Sequence, residues 1–202
     1  PSPLQYHYRT KITPHIQGPP RRRQQRYEQQ GSISTDVSIG FLEEAWGEHR
    51  DSTGRRWKRI IDVDACPIAT EKINEALPAA RKEFRTSTPA LKHLLLRHTT
   101  RNGVTSDAQQ WVTEDVPGLG PFLFRAGGFF QNNSSILPTF VEHVVEHAVA
   151  KLDGCCEPPT VLVDVYCGVG LFAIAAARRF GRIFGVELDK IAIQLARKNA
   201  AA

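Results

Sequence analysis

The stretch Asp164–Lys190, DVYCGVGLFAIAAARRFGRIFGVELDK, constrains this chain more than any other. VLVDVYC is a continuous apolar run, the kind a parallel sheet buries on both faces. Gly168 and Gly170 come next, then a helical pattern, then a second strand. Strand, glycine turn, helix and strand together open a doubly wound α/β domain. Ligands of such sheets sit beyond the carboxyl ends of the strands, where the first strand turns into its helix. Glycine serves there because a residue without Cβ lets the backbone approach a ligand closely. Glu187 ends the second strand nineteen residues beyond Gly168, where a carboxylate can accept hydrogen bonds from ribose hydroxyls.

The spacing G-x-G-x-x-A, from Gly168 to Ala173, fits a nicotinamide cofactor as well as it fits S-adenosylmethionine. A phosphate loop of the Walker type is excluded, because no Gly-Lys-Ser/Thr follows the glycines. The residues before the turn separate the remaining two. A pyrophosphate lies on the helix N-terminus, and Asp164 on the approach would repel it. The same carboxylate suits a ligand carrying a sulfonium and an ammonium. The balance moves toward the methyl donor, and a NAD-dependent oxidoreductase stays open.

Upstream, Leu4–Ile16 alternates aromatic or aliphatic with polar residues and predicts one strand. Gly18–Gln30, GPPRRRQQRYEQQ, predicts a basic loop. STDVSIGFL, WKRIIDVD, LKHLLLRHT, QQWVTEDV and FLFRA predict further strands. Thr70 is placed to cap a helix over EKINEALPAARKEF, with Pro78 bending or breaking it. From Phe129 the character changes. Asn133 and Ser134 are expected to cap a helix whose apolar positions run from Ile136 to Ala148. The expected architecture is therefore an α+β domain over residues 1–125, then the first half of a Rossmann-like α/β domain over 126–202.

Charge bears on partners. The net charge is +5, and residues 1–60 alone hold eleven Lys/Arg against six Asp/Glu. A local basic excess is the footprint of a polyanion partner, and a solvated basic loop explains it almost as well. Arg21, Arg22, Arg23 and Arg26 are the candidates for nucleic-acid phosphates, with Arg9 and Lys11 next. No apolar run reaches the roughly 18 residues a membrane span needs. The four cysteines show no paired C-x-x-C spacing, so no metal cage is expected and a reducing compartment is the simpler reading. His143-Val-Val-Glu-His147 fits a zinc-protease pattern, but its histidines are expected to flank an apolar helix stripe. Cys66 is expected to be a small buried thiol, Cys155 and Cys156 to lie in a loop, His93 and His98 to be surface residues, and Asp189 to cap the last helix. The chain has no methionine, including at position 1, and ends within a helical pattern, as an internal portion of a longer protein would.

DVYCGVGLF resembles the D-x-Y-C-G-x-G-x-F motif of the RNA uracil-C5 methyltransferases. Three further segments are similar to that family in the same order: YRTKITPH (8–15), DVDACPIAT (62–70) and FRAGGFFQNNSSILP (124–138). The DVDACPIAT segment is like that of the eukaryotic tRNA branch. The resemblance implies methylation of uracil C5 in RNA, with the T-loop uridine of tRNA as the expected target and S-adenosyl-L-methionine as donor. It further implies a cysteine thiolate that adds to C6, with nucleophile and general base both beyond this chain's last residue. Cys167 belongs to the glycine motif and is not that nucleophile. Carried over position by position, Gln131, Tyr166 and Glu187 match donor contacts, and Gly168 and Gly170 match the backbone turn. Leu171 stands where some relatives carry a polar donor-binding residue. The family implies tRNA as partner, an RNA-facing role for the N-terminal domain, and an intracellular site in cytoplasm, nucleus or mitochondrion. No metal or membrane partner is expected, and the chain by itself is expected to transfer no methyl group. A catalytically inert RNA-binding module is the alternative.

Overall fold

The structure, a computed structural model, describes residues 2–17, 37–43, 60–86, 93–150 and 161–202. Two apolar cores organise it. The first gathers Ile12, Val37, Ile39, Ala69, Ile73, Leu77, Leu94 and Leu96. Helix α1 (Glu71–Thr86) presents Ile73 and Leu77, one turn apart, to strands from two small antiparallel sheets. One sheet pairs β1 (Lys11–Ile12) with β5 (Leu96–Thr99), and β5 with β6 (Gly103–Thr105). The other orders β2 (His15–Gln17), β3 (Ser38–Leu42) and β4 (Ile60–Asp62). Buried Arg81 of α1 ties the second sheet together. Its guanidinium donates to Ile39 O at 2.7 Å, to Val63 O, and to Asp62 Oδ2 at 2.7 Å.

The second core joins the hairpin β7 (Trp111–Val116) and β8 (Gly120–Arg125) to the α/β portion. Phe122, Phe124 and Phe130 pack with Leu137, Val141 and Val145 of α2 (Leu137–Ala150) and with Val169, Leu171, Phe180 and Leu195. Strand β9 (Val161–Val165) leads through the glycine turn into α3 (Leu171–Ala176). Strand β10 (Arg182–Val186) lies parallel to β9 and precedes α4 (Lys190–Ala200). The carboxamide of Asn199 in α4 accepts from Leu123 N–H at 2.9 Å and donates to Leu123 O and Val169 O at 3.1 and 3.0 Å. One buried side chain thus fixes hairpin, helix and glycine turn together.

Three sequence expectations change. Of the strand expected over Leu4–Ile16, residues 4–10 lie in no named strand, and the rest is two strands in two sheets, interrupted at Thr13–Pro14, because proline has no N–H for a ladder. Pro78 does not break α1, which continues from Glu71 to Thr86. Pro78 lies on the exposed side, where a carbonyl deprived of its helix partner can bond water. Asn133 does not cap a helix: its side chain donates to Ser2 Oγ and accepts from Ser135 Oγ, and a 3₁₀ turn over Ser134–Ile136 leads into α2. Thr70 accepts from Ile73 N–H at 3.4 Å, and Asp189 caps α4 by accepting from Ile191 N–H at 2.8 Å, both as expected. The basic segment Gly18–Gln30 and the Cys155–Cys156 pair lie outside the described residues.

Candidate functional site

Strands β9 and β10 run in register, with Asp164 beside Gly185 and Val165 beside Val186. Their carboxyl ends therefore open at one place. There the chain leaves β9 through three left-handed residues, Tyr166 at φ +66°, Gly168 at +55° and Gly170 at +91°. Tyrosine avoids that region, so the turn holds Tyr166 against its preference and leaves it 85% exposed. A Cβ on Gly168 would meet nothing within 4 Å, so glycine there serves the left-handed conformation rather than close packing. Gly170 is different: a Cβ would sit 3.1 Å from Ile174 Cδ1 and 3.3 Å from Ala196 Cβ, so it lets α3 and α4 close on each other.

Glu187, just past β10, holds the turn. Its carboxylate accepts from Gly168 N–H at 3.0 Å and from Asp189 N–H at 2.8 Å. Each carboxylate oxygen can accept about two bonds, so both keep capacity for further donors. Asp164 reaches the other way and accepts from Ala173 N–H at 3.1 Å, fixing the first turn of α3. Burial pushes the Asp164 carboxyl up and the Ala173 bond partly opposes it. Burial, with the nearby carboxylates of Asp164 and Glu187, also pushes the Cys167 thiol up. A thiol held that way is a poor nucleophile.

A cavity of about 310 Å³ lies over this turn, lined among others by Tyr166, Gly168, Glu187, Asp189, Ile191 and Phe129. Its mouth carries exposed apolar side chains, Tyr166 at 85% and Phe129 at 77%. A larger space of about 460 Å³ lies between α3 and α4, lined mainly by small apolar side chains with Cys167 and Arg197. No carboxylate lines that larger space. The smaller cavity has the mix of apolar wall and few polar groups that a small-molecule site uses.

Of the sequence-predicted residues, Tyr166, Gly168 and Glu187 converge on this cavity. Gly170 faces the larger space, and Gln131 is half-buried nearby but does not line the smaller cavity. Lys11 lies on β1 and Arg9 two residues before it, on the segment that docks against residues 126–132. Arg9 Nε donates to Lys11 O at 3.0 Å, and Lys11 Nζ donates to Gly127 O and Gly128 O at 2.8 and 3.2 Å. Burial, then the charges of Arg97 and Arg9, push the Lys11 ammonium down. Arg21, Arg22 and Arg23 lie outside the described residues. Sequence reasoning missed Phe129 and Ile191 as walls of the site, because nothing in an apolar residue's type separates a cavity wall from a core position.

His143 and His147 are exposed on α2 with ring centroids 3.9 Å apart, and His147 Nδ1 bonds the His143 carbonyl at 2.8 Å. Among the described residues no group of three or more His, Cys, Asp or Glu is arranged to hold a metal ion. Nor is any described helix long and apolar enough to cross a membrane.

Residues 121–202 match the family model of tRNA (Uracil-5-)-methyltransferase. The chain is 36% identical, over 98% of its length, to a tRNA (uracil(54)-C(5))-methyltransferase of Schizosaccharomyces pombe, and covers 35% of that protein. It is 32% identical, over its whole length, to the protein of the same name from Saccharomyces cerevisiae, and covers 37% of it. The fold is like that of a solved Pyrococcus abyssi tRNA (uracil-54, C5)-methyltransferase, with a TM-score of 0.61 at 20% identity, covering 99% of this chain and 54% of that one. The chain thus spans about a third of the length of the yeast relatives it matches. Its ordered motifs, its glycine turn and these matches place it in the RNA uracil-C5 methyltransferase family.

Proposed function

We propose that this chain supplies the S-adenosylmethionine-binding turn, and part of the RNA-facing surface, of an enzyme that methylates uracil C5 in tRNA at the T-loop uridine. The observation that carries the reading is the convergence of Glu187, Gly168 and Tyr166 on one cavity at the carboxyl ends of two parallel strands. The donor set fits the ligand. The Glu187 carboxylate, fixed by two backbone N–H groups, keeps lone pairs for a ribose diol. The bare Gly168 backbone admits a close approach, and Tyr166, Phe129 and Ile191 give an apolar wall for an adenine ring. Bound there, S-adenosylmethionine would supply the methyl group.

The relatives' names support tRNA as the substrate, and the archaeal neighbour was solved with S-adenosyl-L-homocysteine. In this reading residues 1–125 form the RNA-facing part and 126–202 the first part of the donor domain. Gln131 joins the donor contacts, and Arg9, Lys11 and Arg21–Arg23 the RNA contacts. The thiolate that adds to uracil C6 comes from neither described cysteine, since Cys66 is buried and Cys167 is raised and packed beside Gly185.

Isothermal titration with S-adenosyl-L-homocysteine and with NADH tests the reading. Binding of the first only, weakened by Glu187→Ala, supports it. Binding of NADH, or of neither, overturns it, and T-arm RNA binding without either small molecule would point to an inert RNA-binding module.

A further inference from the structure

Arg97 is the largest fully buried side chain among the described residues, at 1% exposure, and the glycine motif does not touch it. Its guanidinium is spent on one short segment. Nε donates to Ala126 O at 3.2 Å, Nη2 to Gly128 O at 3.1 Å and Nη1 to Asn132 Oδ1 at 3.1 Å. Lys11 adds bonds to Gly127 O and Gly128 O. Thr10 closes the far end, donating through both N–H and Oγ1 to Asn132 O at 2.7 and 3.1 Å. Arg97 of β5, Lys11 of β1 and the adjoining Thr10 therefore hold residues 126–132 at both ends. Between those ends lie Gly128 and Phe129, which line the 310 Å³ cavity, and Phe130, stacked on Phe124 at 4.4 Å.

We propose that Arg97, with Lys11 and Thr10, is a positioning residue for the small-molecule site: it sets the Gly128–Phe129 wall against the glycine turn without touching the ligand. The inference rests on the donor-site reading given above. A buried arginine could simply satisfy orphan carbonyls, and its carbonyls are then a matter of stability alone. Three features favour positioning. The rigid planar fork holds its three acceptors in one fixed geometry, whereas the donors of an ammonium on a flexible stem rotate. All three acceptors lie on the segment that forms one wall of the cavity. Arg81, also buried beside the first core, instead bonds Ile39 O and Asp62 within the second sheet.

The test compares Arg97→Met with Arg81→Met, reading S-adenosyl-L-homocysteine affinity by calorimetry and amide exchange by NMR. Arg97→Met should weaken affinity roughly tenfold to a hundredfold, as loss of an outer-shell orienting residue does at metal sites. It should also speed exchange of the Gly127 and Gly128 amides while those of β9 and β10 keep their protection. Arg81→Met should lower the melting temperature and leave affinity unchanged. Equal loss of affinity in the two variants overturns positioning in favour of general destabilisation, and so does unchanged affinity or unchanged exchange in Arg97→Met. Should Arg97→Met not fold, Arg97→Lys keeps the charge but loses the fork, and a smaller affinity loss with the same local exchange is expected. If the unsubstituted chain binds no ligand, the donor-site reading fails, while the exchange at Gly127 and Gly128 still decides whether Arg97 holds the segment.

Discussion

At the residue scale, Tyr166 and Asp164 carry opposed demands. Tyr166 sits at φ +66°, a region that costs a bulky residue about 1–3 kcal/mol. Asparagine tolerates that region far better. Tyr166→Asn should therefore keep or raise stability, by up to about 1 kcal/mol in a denaturant melt, while weakening donor affinity. A variant that is both less stable and unchanged in affinity would deny the strain a role. Asp164 is half-buried, and burial raises its carboxyl above the ordinary 3.8. The folded chain then binds that proton more tightly than the unfolded one, so this group's contribution is largest at low pH. It is lost as pH rises from 3.8 through the raised folded value. Asp164→Asn, which keeps an acceptor for Ala173 N–H, should flatten melting temperature against pH in that interval. Asp164→Ala should lower it at every pH, because Ala173 N–H loses its partner.

At the element scale, buried polar side chains join strands and helices that the hydrophobic pattern alone leaves loose. Asn199 makes three bonds to β8 and the glycine turn, and Asn199→Ala leaves three backbone groups unpaired. Burying groups without partners costs about 1–3 kcal/mol each, with incomplete additivity, so a loss of roughly 3 kcal/mol is expected by chemical denaturation. Gly40 carries a second prediction. A Cβ there would fall 1.8 Å from Ile61 O, so Gly40→Ala must part β3 from β4, and a loss of about 3 kcal/mol or more should follow. These contacts explain what the sequence did and did not reveal. The α/β portion was legible because VLVDVYC, the glycines and Glu187 are local signals, each read within one element and its turn. The α+β portion was legible as strands but not as sheets. Thr13–Pro14 splits one apparent strand between two sheets, and pairings such as Lys11 with Arg97 span more chain than any periodicity reports. Arg97 and Asn199 were invisible as structural residues, since a charged or amide side chain in a strand or helix pattern reads as exposed until its carbonyl partners are known.

At the scale of the whole molecule, two cores meet through the segment 126–132, and one face of the parallel pair stays apolar and open. Val161, Val163 and Val165 of β9, with Phe184 and Val186 of β10, are each about half exposed, from 49% to 56%. Alternation puts them on the sheet face away from Leu162 and Ile183, which pack on the second core. Contiguous exposed apolar surface of this kind promotes association. The chain should therefore self-associate at micromolar concentration by light scattering, and Val163→Lys should reduce that association without lowering donor affinity. Failure of Val163→Lys to change the scattering would locate association elsewhere. In the proposed donor site the Glu187 carboxylate, braced by the Gly168 and Asp189 amides, would receive the ribose of a sulfonium donor. Calorimetry of S-adenosyl-L-homocysteine against the chain and against Glu187→Ala tests it most directly. Loss of a charged acceptor predicts affinity weakened by at least roughly tenfold. Equal affinity in the two proteins would contradict it.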